Sequence, residues 1–122
     1  MPRMAEVTLL HNPRCSKSRA ALALLREHGV EPEIRRYLDE PLTREELVEL
    51  ITSLDVEPAA LVRHDDLFRE LGLDRAATTT LNEVADLLAA QPRLMERPVA
   101  ISGGRAVLGR PPEKVVTLIE PG

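Results

Sequence analysis

Cys15, the only cysteine among 122 residues, lies in a segment whose residue types suit thiol chemistry. Asn12-Pro13 signals a turn before it, and an apolar helical pattern begins at Ser16, so we expect the thiol where a strand ends and a helix begins. There the free backbone N–H groups and the helix dipole stabilise negative charge. The sequence therefore predicts a thiol that is largely ionised near neutral pH, and the thiolate is the reactive form.

The neighbours of this thiol favour a nucleophile with an anion-binding site beside it. Arg14, Lys17 and Arg19 add positive charge close to the sulfur. The N–H groups that stabilise a thiolate at a helix start also bind oxyanions. A buried structural cysteine is the alternative, but neighbours as polar as Arg14, Ser16 and Lys17 argue against it. We therefore interpret Cys15 as a catalytic residue.

Composition excludes several classes of protein. Hydrophobic residues make up 43% and charged residues 30%, which is typical of one soluble domain covering residues 1–122. The net charge of −4 and the presence of only two aromatic residues argue against nucleic acid as a partner, and the charge also argues against acidic membranes. We find neither a secretory signal nor a membrane span. A single cysteine fits a cytoplasmic location, and the scattered histidines lack the spacing of a metal site, so we expect no metal.

The hydrophobic pattern predicts a β-α-β unit at the start of the chain. A strand over 7–10, a helix over 16–28 ended by Gly29, and a strand over 32–38 form this unit. Because such crossovers are right-handed with parallel strands, the helix start lies at the carboxyl end of the first strand. Ligands usually bind at that end of an open α/β sheet, which agrees with the position expected for Cys15.

A helical insert over about 42–92 is predicted to separate the two halves of the fold. Thr43 with Glu46, and Thr80 with Glu83, form capping boxes at the start of two of its helices. Two further short helices are expected, one from Pro58 and one capped by Asp65 or Asp66. Strands over 98–101 and 105–108 then flank a two-residue turn, and a last helix opens at Pro112. This order, β-α-β then β-β-α, is thioredoxin-like, with a mixed four-stranded sheet and helices on both faces.

Four short motifs, in this order and spacing, resemble the glutaredoxin-dependent arsenate reductases. They are HNPRCSKSR after the first strand, YLDEP after the second, RPVAI at the third and GRPPE before the last helix. The resemblance spans roughly residues 6–120. The Spx transcription regulators share the fold and are the nearest alternative family.

The resemblance implies a reaction and the residues for it. The Cys15 thiolate would attack arsenate, glutathione would attack the arsenic adduct, and glutaredoxin would complete the reduction to arsenite. Glutathione would be a co-substrate, and no bound cofactor is implied. The resemblance assigns the oxyanion clamp to Arg63, Arg97 and Arg110, and maps the family's histidine onto His11.

Several of these residues have alternative interpretations. Pro98 is expected to be cis and to face the cysteine, although it could be an ordinary strand-edge proline. His11 could act near the thiolate or simply end a strand. The Ser18 hydroxyl could donate to the thiolate or bond within the first helical turn. The acidic residues that follow Arg63 could pair with it and weaken its affinity for anions.

Two other functions remain open at this point. An Spx-like regulator would bind RNA polymerase, but such regulators typically switch through a Cys-x-x-Cys pair, and here the second position is Ser18. A monothiol oxidoreductase with a substrate other than arsenate is the third possibility.

Overall fold

The computed structural model describes residues 3–119, with side chains from Val7 onward. Strand β1 (Arg3–Leu10), helix α1 (Ser16–Glu27) and strand β2 (Val30–Arg35) form the predicted β-α-β unit, in which β1 and β2 pair in parallel. Strands β3 (Val99–Ser102) and β4 (Arg105–Leu108) complete a sheet of order β2-β1-β3-β4. Because β3 is antiparallel to both β1 and β4, the predicted mixed four-stranded sheet is confirmed.

Three α helices lie between β2 and β3, and local signals in the sequence explain how they begin. They are α2 (Arg44–Ser53), α3 (Asp66–Glu70) and α4 (Leu81–Ala90). Both predicted capping boxes form, at Thr43 before α2 and at Thr80 before α4. The Asp65 carboxylate caps α3 by accepting the backbone N–H of Phe68 at 3.2 Å. Short 3₁₀ turns over Pro58–Leu61 and Arg75–Ala77 join these helices, and a third over Pro92–Leu94 lies between α4 and β3.

The limits of β2 differ from the prediction in a way that affects the site. The strand runs over Val30–Arg35, not over 32–38, because its partner β1 ends where Leu10 pairs with Arg35. The backbone then turns, with the N–H groups of Asp39 and Glu40 both donating to the Arg36 carbonyl at 2.9 Å. Tyr37 therefore lies beyond the strand, where it is buried with 2% of its surface exposed.

Other limits shift by smaller amounts. Strand β1 begins at Arg3, α1 ends one residue before His28, and β3 begins after Pro98. The last helix does open at Pro112, but it is a 3₁₀ helix over Pro112–Leu118 and buries only Val115 fully. Within residues 3–119, no helix combines the length and the apolar character that crossing a membrane requires.

The sheet separates two apolar clusters. Along β1, Val7 and Leu9 pack on the side of α1 and the last helix, whereas Leu10 packs on the side of α2 and α4. This alternation follows from the two-residue period of a strand. Strand β1 is therefore held on both faces, and the segment that follows it, which carries Cys15, starts from a rigid position.

We expect Gly109→Ala to lower the free energy of unfolding by about 1–3 kcal/mol, because it overfills a packed position. A Cβ on this buried residue would lie 2.8 Å from Pro98 Cγ and 3.0 Å from Val115 Cγ1. Urea denaturation measures the change. Gly104→Ala is the matched control, because an added Cβ there meets nothing within 4 Å. Equal stability of the two variants would contradict this account of the contact.

Candidate active site

Cys15 is the residue immediately before α1, as the sequence predicts, and it is half-buried. Its N–H donates to the Asn12 carbonyl at 3.0 Å, and its carbonyl accepts the N–H of Arg19 at 3.0 Å in the first helical turn. The guanidinium of Arg19 also donates to the Pro13 carbonyl at 2.8 Å. These bonds fix the turn on both sides of the thiol. No side-chain cap closes the start of α1, and the first-turn N–H groups of Lys17 and Ser18 instead stabilise the Cys15 thiolate.

The environment of Cys15 favours the thiolate. Burial by itself raises the pKa of the thiol, but the backbone N–H groups of Ser18 and Lys17 and the guanidinium of Arg97 lower it more. The net effect is a pKa below the ordinary value of a cysteine. The predicted reactive thiol is thus supported by two independent sources of positive potential, the helix start and Arg97.

The pH dependence of alkylation tests this directly. Because the pKa of Cys15 is lowered, reaction with iodoacetamide should reach half its maximum rate below pH ~8.5, the ordinary midpoint for cysteine. In Arg97→Ala the pKa should rise, and the midpoint should move to higher pH. Arg69→Gln, which changes an exposed arginine of α3, should leave the midpoint in place. A wild-type midpoint at or above that of a free cysteine peptide would show that the thiol is not activated.

Arg97 precedes β3 and brings a guanidinium to the thiol. Its Nε atom is buried and has no hydrogen-bond partner in the structure. A buried donor without a partner is costly, whereas an anion at this place would satisfy it. The peptide bond between Arg97 and Pro98 is cis, as expected from the sequence, and a second cis bond joins Arg110 to Pro111. Among the three predicted clamp residues, Arg97 is therefore the one whose guanidinium acts directly on the thiol of Cys15.

The other two clamp residues are joined to Arg97 through Glu96. The Glu96 carboxylate lies 3.5 Å from Arg63 Nε and 3.6 Å from Arg110 Nη2. Arg110 also donates from Nε to the Arg97 carbonyl at 2.9 Å. The carboxylate of Asp65 is 3.3 Å from Arg63 Nη1, so the pairing suspected from the sequence does occur. The sequence analysis missed Glu96, although the motif ERPVA places an acidic residue next to Arg97.

The candidate site lies next to a cavity of about 460 Å³, which is lined by Arg97 and by the residues just before Cys15 but not by Cys15 itself. Its wall combines the segment before α1, the turn after β2, Arg63 from within the insert, and the segment that leads into β3. Five arginines line it: Arg14, Arg36, Arg63, Arg93 and Arg97. The lining contains one carboxylate, that of Asp39, and Arg110 is not part of it. The structure thus brings Arg63 and Arg97 to the same cavity. Arg110 lies outside the cavity lining and contacts the Arg97 backbone.

His11 and Ser18 hold the helix start against the end of β1. His11 Nδ1 lies 2.7 Å from Ser18 Oγ, which also accepts the N–H of Asn12 at 3.0 Å. Both residues are buried. The contacts of the Ser18 hydroxyl are therefore with His11 and Asn12 and not with the sulfur. Burial, and then the nearby arginines Arg36, Arg26 and Arg19, lower the pKa of His11, so the ring is neutral near pH 7 and acts by hydrogen bonding.

Tyr37 was not singled out from the sequence as a site residue, although it begins the motif YLDEP. Its ring lines the cavity beside Arg63 and Arg97. Burial raises the pKa of its hydroxyl, and the charges of Arg97 and Cys15 act on it in opposite directions. The hydroxyl therefore stays protonated and can donate a hydrogen bond within the site. Among the described residues, no group of three or more His, Cys, Asp or Glu side chains is arranged to hold a metal ion.

Comparisons with known proteins identify the family of the chain. The ArsC family profile matches residues 10–118. A protein of Neisseria meningitidis serogroup A named arsenate reductase is 41% identical over 95% of this chain and 100% of its own length. The arsenate reductase of Escherichia coli K12 is 36% identical over 95% of this chain and 82% of its own length.

A solved structure titled arsenate reductase from Vibrio cholerae superposes with a TM-score of 0.83 at 37% identity, covering 94% of this chain and 98% of that one. The thioredoxin-like fold class predicted from the sequence is thereby confirmed. The match of the family profile over most of the sequence and the near full-length relatives lead to one conclusion: the chain belongs to the ArsC family.

Proposed function

We propose that the protein is an arsenate reductase that uses glutathione and glutaredoxin as electron donors. The observation that carries this proposal is the buried, unpartnered Arg97 Nε beside a thiol whose pKa is lowered by the N–H groups of a helix start. A nucleophile and a binding site for an oxyanion thus meet at one point. Relatives from two organisms carry the name arsenate reductase, which supports arsenate as the oxyanion.

In the first step the Cys15 thiolate attacks the arsenic atom of arsenate. An As–S bond forms, one As–O bond breaks, and the oxygen leaves as water after taking up protons. Negative charge that builds on the remaining oxygens is stabilised by the Arg97 guanidinium and the N–H groups at the start of α1. Arg63 faces the anion from the cavity wall, and its pairing with Asp65 and Glu96 keeps its guanidinium in place but offsets part of its charge.

The later steps use two external thiols, because the chain has no second cysteine. Glutathione attacks the arsenic and displaces a second oxygen as water. A glutaredoxin thiolate then attacks the glutathione sulfur, forms a mixed disulfide, and leaves the electron pair on arsenic, which becomes As(III). Water releases arsenite and regenerates the Cys15 thiol. Two thiols are oxidised to one disulfide while As(V) gains two electrons, so the sequence of steps balances.

We assign the residues of the clamp different roles. Arg97 touches the oxyanion, Arg63 faces it from the cavity wall, and Arg110 holds the backbone of Arg97 in position through its bond to the Arg97 carbonyl. His11 and Ser18 keep the first turn of α1 against β1, and Pro98 leads from Arg97 into β3. A chain that depends on glutathione and glutaredoxin would act in the cytoplasm, where both are kept reduced.

The experiment is a coupled assay that follows NADPH consumption with glutathione reductase, glutathione and glutaredoxin. The proposal requires turnover that depends on arsenate and on both thiol donors. Turnover of disulfide substrates without arsenate turnover would replace it with a general monothiol oxidoreductase. Absence of turnover, together with retention on immobilised RNA polymerase, would favour an Spx-like binding function instead.

A further inference from the structure

The cavity is much larger than the oxyanion proposed for it. An anion with four oxygen atoms displaces roughly 120 Å³ if each oxygen occupies about the 30 Å³ of a liquid water molecule. The cavity measures about 460 Å³ and extends past Arg97 and Arg63 to the turn after β2 and to the end of the insert. Most of its volume is therefore open to a second molecule when the oxyanion is bound.

The outer part of the cavity carries positive charge that the oxyanion clamp does not use. Arg14, Arg36 and Arg93 line it, and they come from three separate segments of the chain. We call these three residues the rim arginines. They are exposed, and among the described side chains no carboxylate pairs with Arg14 or Arg93. Arg36 pairs with Asp39 at 3.3 Å, but both side chains are well exposed, so a ligand can displace this contact at little cost.

The rim arginines are suited to a ligand that has carboxylates at its ends. Arginine binds a carboxylate through two parallel hydrogen bonds, and three such groups around one opening suit a molecule with more than one acidic end. Glutathione has this chemistry, since it carries a carboxylate at each end of a short peptide and its thiol in the middle. The exposed Leu38 and Pro13 on the same wall leave an apolar surface for the central part of such a peptide.

We propose that the rim arginines form a second anion-binding site that holds the carboxylates of glutathione while its thiol points toward the arsenic on Cys15. This proposal rests on the proposed function for the order of the reaction, but binding itself does not require arsenate. It accounts for the rim arginines, which line the cavity in addition to the two arginines that face the oxyanion.

Binding is tested with S-methylglutathione, which keeps both carboxylates and cannot react. Isothermal titration calorimetry of the wild type should show saturable binding. The substitutions Arg36→Gln and Arg93→Gln should each raise the dissociation constant by about fivefold or more. Arg69→Gln, which removes an equal charge from an exposed residue outside the cavity lining, is the matched control and should bind as the wild type does. Unchanged affinity in both rim variants would overturn the proposal.

Kinetics separate this site from the oxyanion clamp and from a docking surface for glutaredoxin. In the coupled assay the rim variants should raise the KM for glutathione by a similar factor and leave the KM for arsenate within about twofold. An equal rise in both constants, or a rise for glutaredoxin alone, would overturn the proposal. If the wild type does not turn over arsenate but the rim variants lose S-methylglutathione binding, the rim site is supported and the reductase function is refuted. If the wild type turns over arsenate but the rim variants bind S-methylglutathione as it does, the reductase function is supported and the rim site is refuted.

Discussion

In Cys15→Ser, arsenate-dependent NADPH consumption should fall by at least about a thousandfold, because a serine hydroxyl is not ionised near neutral pH. The helix start and Arg97 lower the pKa of a thiol from an ordinary value of about 8.5, whereas the pKa of a serine hydroxyl is too high for the same groups to ionise it near neutral pH. An oxygen in this position would also form an ester of arsenic that offers no sulfur for the later steps. The chain has no other cysteine to take over.

Two controls make this result specific. The far-ultraviolet circular dichroism and the melting temperature of Cys15→Ser should stay close to those of the wild type, because replacing a half-buried sulfur by the smaller oxygen introduces no clash. Wild-type protein treated with iodoacetamide should lose activity to the same degree. A variant that keeps more than a hundredth of the wild-type rate while folded would show that arsenate is reduced without Cys15, and the mechanism would have to be abandoned.

The parts of the fold that local signals specify were predictable. The capping boxes at Thr43 and Thr80 mark helix starts through side-chain bonds to backbone three residues away, so they act before any tertiary contact exists. The end of β2 was not predictable, because it depends on where β1 stops pairing. The 3₁₀ form of the last helix was missed for a different reason. Over seven residues, a pattern of apolar residues does not separate a period of 3.0 from one of 3.6.

The same distinction applies to the site. Cys15 was identified from its neighbours, because the potential of a helix start depends on a few adjacent residues. Arg97 was placed beside the thiol through the resemblance, and the sheet topology gives the physical reason: β3 pairs with β1, which leads into the thiol segment. Glu96, Tyr37 and Arg93 were not identified, since their positions in the site depend on how the insert and the turn after β2 fold back. No spacing in the sequence encodes those contacts.

In Arg97→Ala, arsenate turnover at pH 7 should fall by at least about tenfold, which corresponds to the loss of one charged hydrogen bond. The residue contributes in two ways, since its guanidinium lowers the pKa of Cys15 and its buried Nε has no partner other than a bound anion. Arg97→Lys should keep part of the activity, because it retains the charge but not the planar pair of donors. Arg69→Gln should retain the wild-type rate, and an Arg97→Ala variant with that rate would remove Arg97 from the clamp.

The pH dependence of this loss separates the two contributions. Without Arg97 the pKa of Cys15 rises, so a smaller fraction of the thiol is ionised at pH 7 and the defect from this cause is largest there. Above the raised pKa the thiol is ionised in both proteins, and that part of the defect disappears. The deficit that remains at a pH above the alkylation midpoint of the variant measures the contact with the oxyanion, and it should appear as a higher KM for arsenate together with a lower kcat. Complete recovery at that pH would mean that Arg97 acts only on the thiol, and the oxyanion would then have to be held by Arg63 and the N–H groups at the start of α1.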